Sequence, residues 1–314
     1  MYMEELSLIQ EQYLDSSDAV TLITVFRDEL LLLPYFIEYY QNRGVDNFML
    51  VDNNSVDSSS NFLTNLKNVN LTLFYTSHSY KSSKFGTNWV NAILNRYCKN
   101  KWCIVVDIDE LLNVSHIKET ISILSLGNYN LQYYLLLDMY PRSNKKKYLS
   151  GSNFLKHSNY YDKYSPHSIR KKTLPNNALQ LKGGVRERVF DIQVCISKVP
   201  LFNYDFYDNF KIGIGCHLLS SSRDLCIKDP NSLYVTPKIR IYPKLGILLH
   251  FKFLKPHILE FFLTRIRNNQ DWDNSNEYRT YVDNFKQSLY SSNHSVHYQT
   301  LDIIEKDYAQ LLMM

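Results

Sequence analysis

Short apolar runs alternate with helical segments along the first third of the chain, and this alternation limits the possible folds most. The apolar runs are rich in β-branched residues, as buried strands are, and cover Val20–Phe26, Phe48–Val51, Val69–Tyr75 and Trp102–Val106. Apolar residues recur at helical spacing in three segments: Leu30–Tyr40, a segment that begins near Ser59, and Trp89–Tyr97. This order predicts an α/β fold with an open, mostly parallel sheet. Because ligands bind beyond the carboxyl ends of such strands, the polar residues after the first, second and fourth runs are expected to meet in one cleft.

The remainder of the chain is less regular. Extended or ordered segments are predicted at Leu131–Met139, Gly183–Phe190, Ser197–Tyr204 and Leu245–Leu254, with a polar surface loop over Asn144–Tyr164. The pattern is helical from Pro256 to the end, with an interruption at Asp271–Ser275. We therefore predict an N-terminal extension over 1–18, one main domain over 19–255 and a C-terminal helical region over 256–314.

Composition excludes several classes of protein. The 35 Lys and Arg residues exceed the 31 Asp and Glu residues by only four, so the chain is not expected to coat a nucleic acid. No apolar stretch reaches the ~20 residues of a membrane span, and the acidic start is unlike a secretory signal. Five cysteines without paired spacing are typical of reduced thiols. We expect a soluble cytoplasmic protein, with peripheral contact to the inner face of the membrane as an alternative for basic loops such as Lys145–Lys147.

An acidic segment, Asp107-Ile108-Asp109-Glu110, follows the fourth predicted strand. In an extended segment Asp107 and Asp109 lie on the same side, and three neighbouring acids repel one another unless a cation lies among them. Oxygen ligands of this kind favour Mg²⁺ or Mn²⁺. A solvated turn is the alternative interpretation, and the position of the segment at a strand end favours the metal.

A second polar set, Asp52-Asn53-Asn54-Ser55 with Asp57, follows the second predicted strand. Short acceptor side chains at this position are suited to the N–H groups of a base and the hydroxyls of a ribose. The alternative is a turn that only caps the next helix. Asp52 is the predicted ligand contact, and Asp57 is predicted to be structural.

A third set is Gly183-Gly184-Val185-Arg186-Glu187-Arg188. The glycines permit close approach of the backbone, and on an extended chain Arg186 and Arg188 point the same way, as needed to contact phosphate or carboxylate. Glu187 is either a general base or the partner of a neighbouring arginine.

The fourth set is the segment Leu248–Phe253, in which His250 and Lys252 share one face of a predicted strand. That polar face is expected to line the cleft, where a neutral imidazole completes a metal site. His217 is the competing histidine for this role, and a satisfied core histidine is the structural alternative.

Taken in chain order, these segments resemble a family of bacterial glycosyltransferases related to glycosyltransferase family 2. The likeness is carried by TLITVFRDE (21–29), LVDNNSVDS (50–58), VDIDEL (106–111), LDMYP (137–141), GGVRERVF (183–190), SKVPL (197–201), His217 and LLHFKFL (248–254), and it covers roughly Asp18 to Leu263. The resemblance implies a GT-A fold, with a Rossmann-like nucleotide-binding half, and an enzyme that transfers a sugar from a UDP- or GDP-linked donor to a glycan or glycolipid in surface polysaccharide or lipopolysaccharide synthesis. It also implies a divalent cation, Mn²⁺ or Mg²⁺, and inversion at the anomeric carbon.

Residue roles follow from the same resemblance. The implied metal ligands are Asp107, Asp109 and His250. The implied donor contacts are Arg27, Glu29, Asp52, Asn54, Asp107, Arg186, Arg188 and Lys252. Glu187 is the first candidate for the catalytic base and Asp138 the second, because the Glu-Asp pair that commonly carries the base in family 2 is missing from this sequence.

Three other functions compete with glycosyl transfer. A nucleotidyltransferase shares the sheet and the acids but normally has a Gly-rich phosphate loop, which is missing after the first strand here. A haloacid-dehalogenase-like phosphatase places its D-x-D at the first strand, and this chain places it at the fourth. A non-catalytic protein that binds nucleotide sugars or glycans is the third alternative.

Overall fold

A nine-stranded sheet forms the centre of the protein in a computed structural model. The structure describes residues 2–143, 148–165, 167–173, 179–204, 211–217, 219–220, 225–226, 239–255, 258–268, 272–284 and 288–312. The strands are β1 (Ser7–Glu11), β2 (Thr21–Phe26), β3 (Asn47–Asp52), β4 (Asn70–Tyr75), β5 (Lys101–Val105), β6 (Glu110–Leu112), β7 (Leu131–Asp138), β8 (Tyr160–Asp162), β9 (Ile169–Thr173), β10 (Leu179–Gly183), β11 (Ser197–Tyr204), β12 (Lys211–Ile212), β13 (Leu219–Ser220), β14 (Leu225–Cys226), β15 (Ile239–Arg240), β16 (Gly246–His250) and β17 (Ser295–His297). The helices are α1 (Leu33–Gln41), α2 (Ser59–Thr64), α3 (Thr87–Tyr97), α4 (Ile117–Leu126), α5 (Phe154–His157), α6 (Val185–Phe190), α7 (Ile258–Asn268), α8 (Asn276–Asn284), α9 (Leu301–Asp307) and α10 (Ala309–Leu312).

The strand order of the central sheet is β1-β4-β3-β2-β5-β11-β7-β16-β6. Strands β2, β3, β4 and β5 pair in parallel, as do β7 and β16, whereas β11 is antiparallel to both β5 and β7. Six strands therefore run in one direction, while β1, β6 and β11 run against them. This arrangement confirms the predicted α/β class and the open, mostly parallel sheet of GT-A type.

The interior of the sheet explains why these segments form strands. All six residues of β3 and all eight of β7 are buried, as expected for strands covered on both faces. Helices α1 and α3 contribute their apolar faces to the same core through Phe36, Tyr40, Trp89 and Ile93. The strand and helix predictions for the first third of the chain are thus confirmed, with shifts of a few residues at the ends.

The segment after Gly184 differs from the prediction. Val185–Phe190 is a short helix, α6, and not an extended chain. Its apolar residues Val185, Val189 and Phe190 pack on one side into a second hydrophobic cluster with residues of α7 and α8. Because residues at i and i+2 diverge on a helix, Arg186 and Arg188 do not point the same way, and the prediction of two parallel arginines was wrong.

The C-terminal region is not purely helical. Strand β17 pairs with β8, and the Tyr140 hydroxyl lies 2.5 Å from the Asp162 carboxylate and 2.9 Å from the Ser295 hydroxyl. The loop prediction for Asn144–Tyr164 was wrong for α5 and β8, while residues 144–147 lie outside the described residues. Of the helices that the structure describes, none has both the length and the apolar character to cross a bilayer.

Candidate functional site

A cavity of about 1040 Å³ lies at the carboxyl ends of the parallel strands. The residues that follow β2, β3 and β5 all contribute to its wall, so the predicted convergence of these polar sets is confirmed. From the first half of the chain the polar lining includes Arg27, Glu29, Asn53, Asn54, His78, Asp107, Asp109 and Glu110. From the second half it includes Arg186, Lys198, His217, His250, Lys252, Lys255, Arg265 and Glu277.

The acidic segment is a turn between β5 and β6. The Glu110 amide donates to the Asp107 carbonyl at 3.0 Å, and the Asp107 amide donates to the Glu110 carboxylate at 3.1 Å. This local closure turns the two aspartates toward different partners. Asp107 faces Lys198, with 3.1 Å between Oδ2 and Nζ, whereas Asp109 faces His250.

Lys198 holds the buried side of this turn together. It comes from β11, is buried, and its ammonium contacts the carboxylates of both Asp107 and Glu110. Burial disfavours the charge of Lys198, but the two acids outweigh it and raise its pKa. The Asp107 side chain is 59% exposed, and the desolvation that opposes its ionisation inside the cavity is outweighed by Lys198, which lowers its pKa. For Glu110 burial dominates over Lys198, and the pKa rises to about 7.

Three of the cavity residues form a candidate metal centre. Ligand atoms of Asp109, Glu110 and His250 lie within 4.8 Å of one another. Two carboxylates and one imidazole fit Mg²⁺ or Mn²⁺ by their chemistry. One Glu110 oxygen already pairs with Lys198 and the other accepts the Asp107 amide. Among the described residues the Asp109 carboxylate has one ion-pair partner, His250 at 3.6 Å, so Asp109 is the more accessible acid of the group.

Asp138 orients the histidine of this group. Its Oδ1 lies 2.6 Å from Nδ1 of His250, which leaves Nε2 directed toward Asp109. Its Oδ2 accepts from Nε of Arg186 at 2.9 Å. Burial opposes ionisation of Asp138, but Arg186 and His250 outweigh it and lower the pKa. An acid that fixes the far nitrogen of an imidazole is a common support for a metal-binding histidine.

Helix α8 supplies a counter-ion for two cations of the cavity. The Glu277 carboxylate lies 3.2 Å from Lys252 Nζ and 3.4 Å from Arg186 Nη1, and it accepts a hydrogen bond from the Tyr281 hydroxyl at 2.5 Å. Burial opposes ionisation of Glu277, yet Lys252 and Arg186 lower its pKa to about 2. A separate pair in the cavity joins Lys255 and Glu29 at 2.5 Å. Burial raises the pKa of Glu29, and Lys255 only partly compensates.

Four of the residues predicted to act in the site are not among those that line the cavity: Asp52, Asp138, Glu187 and Arg188. Asp52 is buried, and its carboxylate accepts hydrogen bonds from the Ser55 amide and the Ser60 hydroxyl, so it anchors the turn after β3. Glu187 forms a two-pronged ion pair with Arg170, with both contacts at 2.8 Å. Arg188 contacts Asp162 through two nitrogens at 2.7 Å.

Gly183 has a structural reason for lacking a side chain. Its φ is +134°, and a Cβ at this position would lie 2.0 Å from the Ser168 carbonyl oxygen. The close approach predicted for the glycine pair therefore involves the protein's own backbone. The turn leads into α6, from which Arg186 is the residue that lines the cavity.

Sequence reasoning did not find Lys198, Lys255 or Glu277. Lys198 stands in the SKVPL segment, where a lysine inside an apolar strand was a signal of a buried counter-ion. Lys255 directly follows the LLHFKFL segment, and Glu277 has no local signal, since only the packing of α8 against α6 and α7 brings it to the cavity. Asp57 has the structural role predicted for it, because its carboxylate accepts from the Leu30 and Ser59 amides.

Comparisons with known proteins give the following findings. No family model matches the sequence, and no curated protein matches it. Among solved structures, the chain is similar to TarS from S. aureus, at 14% identity and a TM-score of 0.33 over 40% of this chain and 23% of that chain. A second TarS structure, of residues 1–349, is 14% identical and gives a TM-score of 0.34 over 40% of this chain and 37% of that chain. HddC from Yersinia pseudotuberculosis gives 11% identity and a TM-score of 0.37 over 78% of this chain and 97% of that chain. The chain thus spans well under half of either TarS structure, and the fold assignment rests on the strand order described above.

Proposed function

We propose that this protein is a metal-dependent glycosyltransferase that moves a sugar from a UDP- or GDP-linked donor to a hydroxyl of a glycan or glycolipid. The observation that carries the proposal is the composition of the cavity wall. The wall carries a group of metal ligands, Asp109 with Glu110 and His250, and also the cations Arg186, Lys252 and Lys255. A nucleoside diphosphate carries negative charge on its phosphates, which a bound cation and these side chains would both neutralise.

Donor binding follows from the position of each group. Asn54 lies after β3, where a side-chain amide is suited to a nucleobase or a ribose, and Asp107 presents an exposed carboxylate in the same cavity. Arg186 is almost fully buried and its Nη2 has no hydrogen-bond partner among the described residues. A buried guanidinium with an unpaired N–H group is a strong donor to phosphate, so Arg186 is the principal predicted contact of the diphosphate.

Asp109, Glu110 and His250 would hold the divalent cation, and Asp138 would keep the imidazole of His250 in place. Such an ion supplies positive charge that stabilises a departing diphosphate. The protein's own cations act on the same group, and Arg186 and Lys252 lie close enough to share Glu277. Burial disfavours both charges, but Asp138 outweighs it for Arg186 and Glu277 outweighs it for Lys252, so the pKa of each is raised. Exclusion of water by the buried wall strengthens these contacts.

The chemical step is a single displacement. The acceptor oxygen forms a bond to the anomeric carbon while the bond from that carbon to the phosphate oxygen breaks, and the electron pair leaves with the nucleoside diphosphate. Inversion, together with a role in surface polysaccharide or lipopolysaccharide synthesis, completes the proposal on the basis of the family resemblance alone.

The test combines binding with product analysis. UDP or GDP with Mn²⁺ is expected to raise the melting temperature of the protein, because a ligand that binds only the folded state stabilises it. A panel of UDP- and GDP-hexoses is then incubated with Mn²⁺, and the released products are analysed. Release of nucleoside diphosphate supports glycosyl transfer or donor hydrolysis, whereas release of pyrophosphate from a nucleoside triphosphate and a sugar phosphate indicates a nucleotidyltransferase. Stabilisation without turnover of any donor indicates a binding protein, and no stabilisation contradicts the proposal.

A further inference from the structure

The acids of the cavity are poorly placed to accept a proton. The described carboxylates that line it are Glu29, Asp107, Asp109, Glu110 and Glu277. Four of them face a lysine: Glu29 faces Lys255, Asp107 and Glu110 face Lys198, and Glu277 faces Lys252. The second oxygen of Glu29 is buried away from solvent. Asp109 belongs to the candidate metal group.

His217 differs from these acids in its hydrogen bonding. It follows β12 and lines the cavity, and its Nδ1 lies 2.7 Å from the carbonyl oxygen of Ser197. A carbonyl oxygen only accepts, so the proton of a neutral His217 must be on Nδ1. Its Nε2 then carries the lone pair, and no group of the described chain bonds to it.

The surroundings keep the ring neutral and in place. Burial and the positive charge of Lys198 lower the pKa of His217 to about 4, with Arg186 acting in the same direction and Asp107 against it. Gly215 leaves room for the ring, because a Cβ there would lie 2.8 Å from Cδ2 and 3.1 Å from Nε2 of His217. The other histidine of the cavity outside the metal group, His78, is exposed, and no side-chain hydrogen bond of the described residues fixes its ring.

We infer that His217 is the general base of the proposed reaction and takes the proton of the attacking hydroxyl on Nε2. As the acceptor oxygen bonds to the anomeric carbon, its O–H electron pair stays with the oxygen and its proton moves to Nε2. The nucleoside diphosphate leaves with the electrons of the broken C–O bond, and imidazolium later returns the proton to water. This inference rests on the proposed function, and it replaces Glu187 and Asp138 as candidates for the base.

The experiment compares His217→Gln with the wild type and with His294→Gln, an exposed histidine outside the cavity, as the matched control. Turnover is measured as release of UDP or GDP from the hexose panel with Mn²⁺, since water entering the cavity meets the same base. His217→Gln is expected to lower kcat by about 100- to 10,000-fold with little change in the KM of the donor, the range typical of a positioned base. The rise in melting temperature with UDP and Mn²⁺ is expected to persist, and His294→Gln is expected to retain wild-type kcat.

Several results would overturn the assignment. Turnover by His217→Gln within about threefold of wild type would exclude a base at this position. Loss of the UDP–Mn²⁺ stabilisation in this variant would make His217 a binding residue instead. If His217→Gln does not fold, Gly215→Ala, which displaces the ring but keeps it, carries the same test, and unchanged kcat there contradicts the inference. A wild type that releases nucleotide from a donor at the same rate as His217→Gln contradicts the base alone, whereas a wild type that binds UDP and Mn²⁺ but turns over no donor, or that binds neither nucleotide, contradicts the proposed function and the base with it.

Discussion

The two halves of the chain make opposite contributions to the cavity. The half built from β2 to β6 supplies acids and amides at its strand ends, including Glu29, Asp107, Asp109 and Glu110. The half from β7 onward supplies all the described lysines and histidines of the lining except His78. Each half therefore carries charge that it cannot neutralise alone, and the ion pairs Lys198–Glu110 and Lys255–Glu29 join them.

This difference indicates how the site depends on the fold. The positions of the acids depend on local sequence, because each acid lies within a few residues after the end of a buried strand. The cations are placed by tertiary packing, because β11, α6 and the segment after β16 reach the acids only when the sheet is assembled. Loss of Asp109 should thus act mainly on chemistry, and loss of Lys198, which joins the two halves, mainly on stability.

The largest effect on activity is expected for Asp109→Ala. Asp109 is the most accessible acid of the candidate metal group, and a metal ion is worth several kcal/mol of transition-state stabilisation, so turnover should fall by about a thousandfold. The melting temperature without metal should hardly change, because Asp109 has no lysine or arginine partner among the described residues. Release of UDP from UDP-hexoses measures the first effect and thermal unfolding the second.

Glu119→Ala is the control for this change, because Glu119 is an exposed acid on α4 outside the cavity. It should leave turnover unaltered. Full activity of Asp109→Ala would contradict the proposed metal site. It would also contradict the assignment of chemistry to the acids of the half from β2 to β6.

The largest effect on stability is expected for Lys198→Met. This change leaves the buried Glu110 without its counter-ion, and breaking a buried pair in this way costs about 3–5 kcal/mol in the free energy of unfolding. The matched control is Lys118→Met, which removes a pair between Lys118 and Asp46 at the surface and should cost about 0–1 kcal/mol. Urea unfolding of both variants measures the difference. Equal costs would show that Lys198 does not hold the two halves together.

Much of the first half was predictable from the sequence because its rules are local. The runs that became β2 to β5 are short, apolar and β-branched, and a strand end followed by acids is recognisable without knowledge of any partner. Even there, the extended geometry expected for Asp107 and Asp109 was replaced by a turn, because the Glu110 carboxylate folds back onto the Asp107 amide.

The second half was less predictable for a physical reason. Val185–Phe190 is too short for its apolar spacing to separate a helix from a strand, and the helix forms because Val189 and Phe190 pack against α7 and α8. Glu277 meets Arg186 across 91 residues, and Lys198 meets Glu110 across 88. No spacing rule reports such contacts, so the roles of Glu277 and Lys198 required the folded structure.

A smaller effect, with a defined pH dependence, is expected for Glu277→Gln. The pKa of Glu277 is about 2 in the folded protein and 4.5 without its partners, so its ionised form contributes stability above about pH 4.5. That contribution, about 3 kcal/mol, is lost as the pH falls through the folded pKa near 2. The difference in unfolding free energy between wild type and variant should therefore be largest near pH 7 and shrink toward pH 3, as measured by urea unfolding.

The control for this variant is Glu305→Gln, which removes a half-exposed pair with Lys244 and should change stability by only about 0–1 kcal/mol. A difference for Glu277→Gln that stays constant between pH 7 and pH 3 would contradict the role of Glu277 as the counter-ion of Lys252 and Arg186.

The smallest effect is expected for Glu187→Gln, although the sequence made Glu187 the first candidate for the base. Its carboxylate pairs with Arg170, whose side chain is half exposed, and it does not line the cavity. Loss of this pair should cost about 0–1 kcal/mol in unfolding free energy, and kcat should stay within about twofold of wild type. Kinetics on the same hexose panel check this. A fall in kcat of about a hundredfold or more would return the base to α6 and would mean that the helix rearranges when donor binds, since only then would Glu187 reach an acceptor hydroxyl.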